Sequence, residues 1–292
     1  IVNKIHVLKK KNFLSKLNLF FKLKTNSYDV IITSDKKNSS IILSLFLKSK
    51  IKIFNVSKLF TYKFLKFFYK NVFLDNDFSN ESVKQIQNNN LKSINFSLNK
   101  DDFHFFKKDQ FKNFSFNLSN LEISKNFILV HYDEKWEISS YIKAFPRADS
   151  FVDLGIEYYS FIKFLSHISY KTNSNIILTT GTINTNFIDK FITTEEKISS
   201  DIYKLKNNSN NIFCIVNQSF ESVSHLISHS KCFISCHGAF THIAANFNIK
   251  QIDIINSNKE YHYQRITSSI DNYSSIFRKK FQNLSTEIVD SL

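Results

Sequence analysis

The chain has 292 residues, of which 42% are hydrophobic and 22% are charged, and its formal net charge is +14. This apolar content is sufficient to build a core, so the composition excludes a disordered chain, and the length allows two domains of about 130 to 160 residues each. No run approaches the roughly 18 uncharged apolar residues that a membrane-spanning helix needs.

The excess positive charge is concentrated at the start of the chain. Residues 1 to 72 contain sixteen Lys and only two acids, Asp29 and Asp35, whereas the rest of the chain holds 23 basic and 23 acidic side chains. The Lys-, Asn- and Ile-rich composition is typical of an AT-rich genome, but codon drift acts on a whole chain. The asymmetry therefore favours an anionic partner for the first part, with a merely solvated surface as the alternative.

The cysteines and methionines bear on where the protein works and where its chain begins. Cys214, Cys232 and Cys236 are odd in number, lie in apolar runs and follow no secretory signal, which predicts a reducing, cytoplasmic setting. The chain has no Met, even at position 1. We therefore expect the N-terminal domain to be truncated.

The beginning of the chain alternates predicted strands and helices. In order, the sequence predicts a short strand at Ile5–Leu8, a basic amphipathic segment at Phe13–Leu23, a strand at Tyr28–Thr33, a helix at Ser39–Leu47 and a strand at Ile51–Val56. This alternation is typical of a parallel sheet with crossover helices. We predict an α/β domain.

The segment Leu59–Phe73 interleaves aromatic residues with Lys63, Lys66 and Lys70. This pattern is typical of a helix that rests on a membrane surface, and a core-facing helix with a Lys-rich outer side is the alternative. Residues 76–120 are polar and Asn-rich, with one predicted helix at Ser82–Gln87. We interpret this stretch as the end of a first domain, residues 1–120, and a linker to a second, residues 121–292.

A second alternating series follows. It comprises strand Asn126–His131, helix Glu157–Ser169, strand Asn175–Thr180, helix Asn186–Ile192, strand Ile212–Asn217, helix Glu221–Ser230, strand Cys232–Ser235, a helix after Gly238 and strand Gln251–Ile255. Ligands of such sheets bind at the carboxyl ends of the strands. The segments that should meet there are His131–Lys135, Thr180–Gly181, Asn217–Gln218, Cys236–Gly238 and Asn256–Lys259.

The stretch Lys231–Lys250, KCFISCHGAFTHIAANFNIK, predicts a strand, a tight turn at Gly238 and a helix. A strand that feeds a helix through a Gly turn presents unpaired backbone N–H groups and the positive end of a helix dipole at one point. The chain has only 3 Gly, so a Gly at this turn is informative. The turn is a predicted phosphate site.

Three features of the second half together resemble the donor domain of GT-B glycosyltransferases, most specifically glycosyltransferase family 9, the ADP-heptose:lipopolysaccharide heptosyltransferases. They are the strand ending in His131 with Lys135-Trp136 after it, the strand and Gly turn Asn175–Gly181, and the run Glu221–Ala245. The resemblance implies two Rossmann-like α/β domains facing a cleft. It also implies transfer of a sugar from a nucleotide diphosphate to a lipopolysaccharide or other surface-glycan acceptor.

The chain departs from the family pattern at the predicted phosphate site. Cys236-His237 stands where the family has an acid and a hydroxyl, and Gly238–His242 is one residue longer than usual. The family's opening strand and Gly-Asp turn, which supplies its proposed catalytic acid, would precede residue 1. These departures leave the identity of the donor sugar and nucleotide open.

Sugar transfer passes through an oxocarbenium-like state while the diphosphate leaves with growing negative charge. The reaction therefore needs a cradle for the diphosphate and a general base for the acceptor hydroxyl. The donor-binding candidates are Lys135, Thr180, Gly181, His237, Gly238, Thr241, His242 and, for the ribose, Glu260, and the base candidates are Asp35, Asp133 and Glu134. For each side chain the alternative is structural: a solvated Lys, a core His or a loop acid.

A zinc site is a rival interpretation of Cys232, Cys236, His237 and His242. Four residues along a strand span about 13 Å, which is too far for two thiolates on one zinc ion. We therefore rank phosphate above zinc and expect neither a metal nor another cofactor besides the nucleotide-sugar substrate.

The sequence thus favours a cytoplasmic glycosyltransferase, peripheral on the cytoplasmic membrane face and acting on an anionic glycolipid or glycan. A nucleotide-sugar epimerase of the same fold and a non-catalytic sugar-nucleotide-binding protein are the nearest alternatives. A basic RNA- or membrane-surface-binding module is a further one. We expect no nucleic-acid partner, because RNA binding would not explain the polar rim of the second half.

Overall fold

A computed structural model describes residues 13–76, 81–96, 127–139, 152–205 and 211–292, with side chains from residue 17 onwards. The chain divides into two compact units: Ile1–Asn99 with Gln264–Ser268 forms unit 1, and Lys100–Tyr263 with Ser269–Leu292 forms unit 2. The strand predicted at Ile5–Leu8 and the domain boundary predicted at residue 120 lie outside the described residues.

Unit 1 contains a three-stranded parallel sheet in the order β1-β2-β3. Its strands are β1 (Ser27–Thr33), β2 (Lys48–Val56) and β3 (Val72–Leu74), and its helices are α1 (Phe13–Lys24), α2 (Asn38–Phe46), α3 (Leu59–Phe68) and α4 (Val83–Lys92). Helices α2 and α3 are the crossovers between successive strands. The predicted parallel α/β arrangement is confirmed.

Unit 1 has a small core, and two of its helices have ends that differ from the predicted ones. The core consists of Ile41, Phe54, Val56, Leu65 and Val72. The helix predicted at Leu59–Phe73 was too long: α3 ends at Phe68, because Val72 and Phe73 pair with β2 as part of β3. Helix α4 begins at a capping box, in which Ser82 and Gln85 each bond the other's backbone N–H, and it continues past the predicted end to Lys92.

Unit 1 also contains a buried ion-pair cluster at the end of β3. Asp75 pairs with Lys36 at 2.8 Å and with Arg265 at 2.8 Å. Arg265 lies in the segment Gln264–Ser268 and also donates to the carbonyl of Glu81 at 3.0 Å. Two cations satisfy the buried carboxylate, so removal of either would leave a charge poorly compensated in the protein interior.

Unit 2 is built on an eight-stranded sheet in the order β11-β10-β9-β4-β5-β8-β7-β6. Its strands are β4 (Phe127–Tyr132), β5 (Asn175–Thr180), β6 (Glu196–Ser199), β7 (Ile202–Lys204), β8 (Ile212–Ile215), β9 (Cys232–Cys236), β10 (Lys250–Ile255) and β11 (Tyr273–Phe277). Its helices are α5 (Tyr158–Thr172), α6 (Asn186–Thr194), α7 (Phe220–His229), α8 (Ala239–Asn246), α9 (Glu260–Thr267) and α10 (Phe281–Ser291). The part of α9 from Gln264 onwards belongs to unit 1. The six strands from β11 to β8 are parallel, and β7 and β6 extend the sheet antiparallel.

The chain reverses its direction of travel across this sheet at β4. From β4 it proceeds through β5 to β8 on one side, and it then returns to add β9, β10 and β11 on the other side. The crossovers on the two sides of β4 diverge, which leaves a crevice at the carboxyl ends of β4 and β9. This position is the topological switch point of the sheet.

The alternation of side chains along β4 shows that both faces of the sheet are covered. Ile128, Val130 and Tyr132 enter one core with residues of α5, α6 and α10. Phe127 and Leu129 enter the other core with residues of α7 and α8. Because neither face of this strand is exposed to solvent, its residues need not alternate between apolar and polar, and the segment is a continuous apolar run.

Several elements of unit 2 have no counterpart among the predicted ones. The polar stretch before residue 210 contains the hairpin β6–β7, and α9, β11 and α10 follow the last predicted strand. All four residues of β6 are exposed, so no hydrophobic pattern marks it. Burial of β11 and α10 depends on neighbours that only the folded sheet supplies.

Phe161 on α5 lies at the centre of the larger core, where its ring contacts those of Tyr132, Trp136, Phe164, Phe187 and Phe281. We expect Phe161→Ala to lower the free energy of unfolding of unit 2 by about 3 to 5 kcal/mol, because the cavity removes both burial and packing. Fluorescence of Trp136, the chain's single Trp, reports on this unit in a urea titration. Tyr170→Ala, on the same helix but 81% exposed, is the control, and equal losses in the two variants would contradict the packing argument.

Candidate functional site

The carboxyl ends of five neighbouring strands in unit 2 bring the predicted rim segments to one edge of the sheet. In the strand order, β10, β9, β4, β5 and β8 are consecutive and parallel. His131 on β4 lies in register with Thr179 on one side and Ser235 on the other. The meeting of these segments at one edge, which the sequence predicted, is therefore confirmed.

Lys135 joins the loops that follow β4 and β9. Its Nζ atom lies 2.9 Å from Oδ2 of Asp133 and donates to the carbonyl oxygens of His237 at 2.7 Å and Cys236 at 3.3 Å. Its neighbour Trp136 is buried and donates Nε1–H to the carbonyl of His131 at 2.8 Å. The ammonium group is thereby fixed at the switch point.

Two glycines allow this close approach. A Cβ atom added at Gly238 would lie 2.9 Å from Nζ of Lys135. A Cβ atom added at Gly181 would lie 3.0 Å from Cβ of Asp133 and 3.0 Å from Oε2 of Glu134. Any larger residue would push the Lys135 or Glu134 side chain out of position, so the two Gly-containing turns predicted from the sequence have a steric reason.

Asp253 on β10 organises the turn after β9. It is fully buried and its carboxylate accepts hydrogen bonds from Ser235 at 3.0 Å, from Thr241 at 2.9 Å and from Nδ1 of His237 at 2.7 Å. The hydroxyl of Thr241 in turn accepts the backbone N–H of Gly238 at 3.2 Å. Thr241 therefore shapes the turn from inside the protein, whereas the sequence had suggested that it faces a ligand.

Sequence reasoning missed Asp253 and Arg278. Asp253 is one acid in an apolar strand, and that isolation is a signal, since a buried carboxylate needs several donors. Arg278 follows β11 and is buried, with Nη1 3.4 Å from the sulfur of Cys236 and Nε donating to the carbonyl of Val152 at 3.0 Å. Nothing in the local sequence marks Arg278, because β11 itself was not predicted.

Burial shifts the protonation of the groups after β4. It lowers the pKa of His131 to about 3, and Nδ1 of the neutral ring lies 3.0 Å from the hydroxyl of Thr179. Burial raises the pKa of Asp133, although the nearby Lys135 opposes this shift. Burial alone would lower the pKa of Lys135, but Asp133, Cys236 and Glu134 raise it above its ordinary value. Lys135 is therefore a permanent cation at this site.

Glu134 and Asp133 differ in the contacts that their carboxyl groups make. Partial burial and the neighbouring charge of Asp133 both raise the pKa of Glu134. Asp133 also accepts the backbone N–H of Lys135 at 3.1 Å, so its oxygens already hold the Lys135 loop. Of the two acids, Glu134 is the one whose carboxyl group has fewer hydrogen-bond partners.

An aromatic cluster surrounds His237. Its ring lies 5.7 Å from the ring of His242 and 4.9 Å from that of Tyr263, measured between centroids. His242 is exposed on the first turn of α8, yet surrounding protein atoms partly desolvate its ring and lower its pKa, and His237 lowers it further. Desolvation is the main cause of this lowered pKa.

The remaining predicted site residues are placed as follows. Thr180 is the last residue of β5 and is half-buried, and Glu260 is the exposed first residue of α9. Asp35 belongs to unit 1, where it accepts from the backbone N–H of Lys37 and the hydroxyl of Ser40 at the start of α2. Seven of the candidates thus surround one edge of the large sheet: Asp133, Glu134, Lys135, Thr180, Gly181, His237 and Gly238.

The thiols near the site are poor metal ligands. Burial raises the pKa of Cys232 and of Cys236 to about 12, and the two lie at opposite ends of β9. A thiol must lose its proton to bind zinc. Within the described ranges, no group of three or more His, Cys, Asp or Glu side chains is arranged to hold a metal ion. Among the described helices, none has the length and apolar character needed to cross a bilayer.

Comparison with solved structures identifies the fold. E. coli heptosyltransferase WaaC with ADP-2-deoxy-2-fluoro heptose superposes with a TM-score of 0.54 at 11% identity, over 96% of this chain and 77% of that one. A glycosyl transferase of family 9 from Veillonella parvula gives 0.56 at 6% identity, over 96% and 72% of the two chains. The fold is that of GT-B enzymes. At these identities the likeness shows the fold alone.

The same fold is shared by enzymes of another reaction class. The UDP-GlcNAc 2-epimerase from Methanocaldococcus jannaschii superposes with a TM-score of 0.50 at 11% identity, over 97% of this chain and 77% of that one. No family model and no curated protein sequence matches the chain. The predicted likeness to glycosyltransferase family 9 is confirmed at the level of the fold.

The low pKa of His131 makes unit 2 sensitive to acid. Between its folded pKa of about 3 and its ordinary value of 6.5, the unfolded chain binds a proton that the folded chain does not. We therefore expect acidification below about pH 6.5 to lower the free energy of unfolding by up to about 1.4 kcal/mol per pH unit. Above about pH 6.5 the His131 ring is neutral in both the folded and the unfolded chain, so its burial no longer makes the free energy of unfolding depend on pH.

His131→Gln tests this contribution, because Gln can still bond Thr179 but does not titrate. Urea titrations at about pH 7 and about pH 5, followed by Trp136 fluorescence, should show a smaller acid-induced loss in the variant. Asp133 and Glu134, whose raised pKa values act in the opposite sense, are present in both proteins and cancel in the comparison. Identical losses in the two proteins would show that His131 is not the acid-sensitive group.

Proposed function

We propose that the protein is a glycosyltransferase that binds a nucleotide-diphosphate sugar at the switch point of unit 2. The observation that carries this proposal is the convergence at Gly238 of the Lys135 ammonium group and the N-terminus of α8. The first N–H groups of a helix have no acceptor within the helix, and the helix dipole favours negative charge there. A phosphate group matches both features.

The same features suit the chemistry of sugar transfer. As the bond between the anomeric carbon and the diphosphate breaks, negative charge grows on the departing oxygen. Lys135 would stabilise that charge, and the buried pairing with Asp133 holds its ammonium group in place beforehand. Lys135 and α8 supply the positive charge, so the proposed transfer requires no metal ion.

Glu134 is the proposed general base for the acceptor hydroxyl. Its raised pKa brings the carboxyl group closer to the pH at which it works. Its Oε2 atom lies beside Gly181, at the strand end next to Lys135. The carboxylate of Asp133 is paired with Lys135, and that of Asp35 accepts hydrogen bonds from the backbone N–H of Lys37 and the hydroxyl of Ser40 in unit 1, so both fit this role less well.

The second candidate is a nucleotide-sugar epimerase, favoured by the likeness to the M. jannaschii UDP-GlcNAc 2-epimerase. An epimerase would use the same diphosphate cradle without an acceptor. A non-catalytic sugar-nucleotide-binding protein would use the cradle alone. Incubation with a panel of ADP- and UDP-sugars, with product analysis in the presence and absence of a lipopolysaccharide acceptor, separates the three: transfer, isomerisation, or saturable binding without turnover.

The proposed acceptor is an anionic glycolipid or surface glycan, such as lipopolysaccharide, met at the cytoplasmic membrane face. On α3 of unit 1, Phe60 and Phe67 are 82% and 85% exposed, and Phe64 and Phe68 lie on the same helical stripe and are also exposed. Lys63 and Lys66 lie beside this stripe on α3, and Lys70 follows two residues after the helix ends. Aromatic rings beside lysines fit a bilayer with anionic headgroups.

Gly238→Val tests the cradle. The added side chain would displace the Lys135 ammonium group from the turn, so we expect affinity for nucleotide sugars and nucleoside diphosphates to fall at least about tenfold, since a charge placed near the phosphates contributes about 1 to 4 kcal/mol. His242→Ala should produce a loss in the same direction. Calorimetric titration with ADP and UDP measures both, with an unchanged unfolding midpoint as the check on folding.

Gly155→Ala is a control for Gly238→Val, since Gly155 lies at a turn near Lys280 rather than in the cradle. Because Gly155 has a φ of +61°, the control is expected to be less stable but to bind normally. Unchanged affinity in both Gly238→Val and His242→Ala would contradict the proposed diphosphate site.

The double variant Phe60→Ser, Phe67→Ser tests the membrane face. We expect binding to vesicles that contain phosphatidylglycerol to fall at least about tenfold, because each buried Phe contributes about 1.5 to 3 kcal/mol. Added salt should weaken binding of the wild type as well, through the lysines. Vesicle sedimentation measures both effects.

Tyr170→Ser, which removes an equally exposed aromatic ring from unit 2, should bind vesicles normally. Equal binding of wild type and the double variant would contradict the membrane face. Retention on RNA with no affinity for vesicles would favour the nucleic-acid alternative instead.

A further inference from the structure

Unit 1 exposes a second apolar surface, which lies on α1 and α2 and shares no residue with the aromatic stripe of α3. Ile42 and Phe46 on α2 are 54% and 65% exposed, and Phe21 on α1 is 55% exposed. The ring of Phe20 joins the two helices, because its centroid lies 5.6 Å from that of Phe21 and 6.5 Å from that of Phe46. These four residues form the α1–α2 patch. A cluster of large exposed apolar side chains is typical of a contact surface.

The patch is not needed to pack α2 on the sheet. Ile41 and Leu45, which are four residues apart, turn one side of α2 to the core of unit 1. Ile42 and Phe46 are also four residues apart, and they form a second apolar stripe on a side that solvent reaches. A surface helix ordinarily has one apolar side and a polar remainder. Burial inside unit 1 therefore accounts for only the first stripe of α2.

The α1–α2 patch lies in the same helical layer as α3. Residues of both α2 and α3 pack against the one hydrophobic cluster that contains Phe54 and Val56 of β2. The strand order β1-β2-β3, with right-handed crossovers, also places both helices on one face of the sheet. Helix α1 joins this layer through the contact of Phe20 with Phe46. The patch and the aromatic stripe of α3 can therefore contact one extended surface.

The side chains around the patch are positively charged. Lys22 and Lys24 lie in the last turn of α1, and Nζ of Lys24 is 5.8 Å from the ring centroid of Phe20. Lys48 is exposed and lies two residues after Phe46. Apolar side chains framed by lysines fit a partner that is apolar inside and anionic at its surface, as a bilayer of anionic lipids is.

The nearby acids and the symmetry of a self-contact both bear on the choice of partner. Residues 1–72 contain two acids, of which Asp29 is paired with Lys50 at 2.7 Å and Asp35 is hydrogen-bonded at the start of α2. A symmetric contact between two copies of the chain would bring the lysines around one patch close to those around the other. Because like charges across an interface repel, the charge favours an anionic bilayer over a second copy.

We infer that the α1–α2 patch is a second membrane-contact surface, which inserts Phe21, Ile42 and Phe46 among the headgroups of an anionic bilayer while the stripe of α3 inserts beside it. The inference rests on the proposed acceptor at the membrane face. A single helix on a bilayer can roll about its long axis, whereas neighbouring helices in one layer define a plane. Contact through all three helices holds the sheet of unit 1 parallel to the bilayer, so the carboxyl ends of its strands point along the membrane surface.

Vesicle sedimentation of the double variant Phe21→Ser, Phe46→Ser tests the patch in the full chain. We expect binding to vesicles of phosphatidylcholine with phosphatidylglycerol to fall at least about tenfold, because the apolar area that the two rings bury in the bilayer is lost. Phe96→Ser removes a ring of similar exposure that follows α4 in unit 1. This matched control should bind as wild type does. An unchanged helical circular-dichroism signal checks the folding of each variant.

A tryptophan substitution on each surface reports its contact with lipid separately. We expect the added fluorescence of Phe46→Trp, on the patch, and of Phe67→Trp, on α3, to be quenched by lipids brominated near the headgroup end of their acyl chains. Wild type supplies the baseline, since its single Trp136 is buried and should not be quenched. Quenching in both variants is the result expected of a helical layer that lies flat on the bilayer.

Wild-type affinity of the double variant, or no quenching of Phe46→Trp, would overturn the inference, and quenching of Phe67→Trp in the same experiment would leave the membrane face on α3 intact. Absence of vesicle binding by wild type would overturn the proposed membrane face itself. A dimer in sedimentation velocity that the double variant abolishes, without vesicle binding, would instead assign the patch to a second copy. Retention of wild type on RNA that the double variant loses, again without vesicle binding, would assign it to a nucleic acid.

Discussion

The ammonium group of Lys135 is the contact on which the geometry of unit 2 depends at its switch point. It bridges the carboxylate of Asp133, after β4, and the carbonyls of Cys236 and His237, after β9. The two strands are neighbours, but the chain reaches them from opposite sides of the sheet, so their loops diverge. A single cation therefore holds together the two walls of a crevice that the topology opens.

The absence of side chains at two turns makes this bridge possible. Gly238 and Gly181 leave space for the Lys135 and Glu134 side chains, respectively, where a Cβ atom would lie at 2.9 or 3.0 Å. In a chain with only 3 Gly, two of them serve this one site. Larger residues are excluded at these two positions by lack of space and not by backbone conformation, since neither glycine has a positive φ.

Buried charge is compensated differently in the two units. In unit 1 the carboxylate of Asp75 is neutralised by Lys36 and Arg265. In unit 2 the carboxylate of Asp253 accepts hydrogen bonds from two hydroxyl groups, those of Ser235 and Thr241, and lies 2.7 Å from Nδ1 of His237. Ion pairs therefore compensate the buried carboxylate of Asp75, whereas neutral hydroxyl donors supply most of the hydrogen bonds to Asp253.

The sequence by itself determined the α/β class, most strands and helices of both units, and the edge of the sheet where the polar segments meet. These follow from local pattern: apolar runs such as Asn126–His131 mark strands buried on both faces, and a Gly turn after such a strand marks a loop at its carboxyl end. The tertiary structure alone supplied Asp253 and Arg278, the shortened α3 and the elements after β10. Pairing across strands and burial by distant neighbours decide these features, and neither is encoded within a short window of sequence.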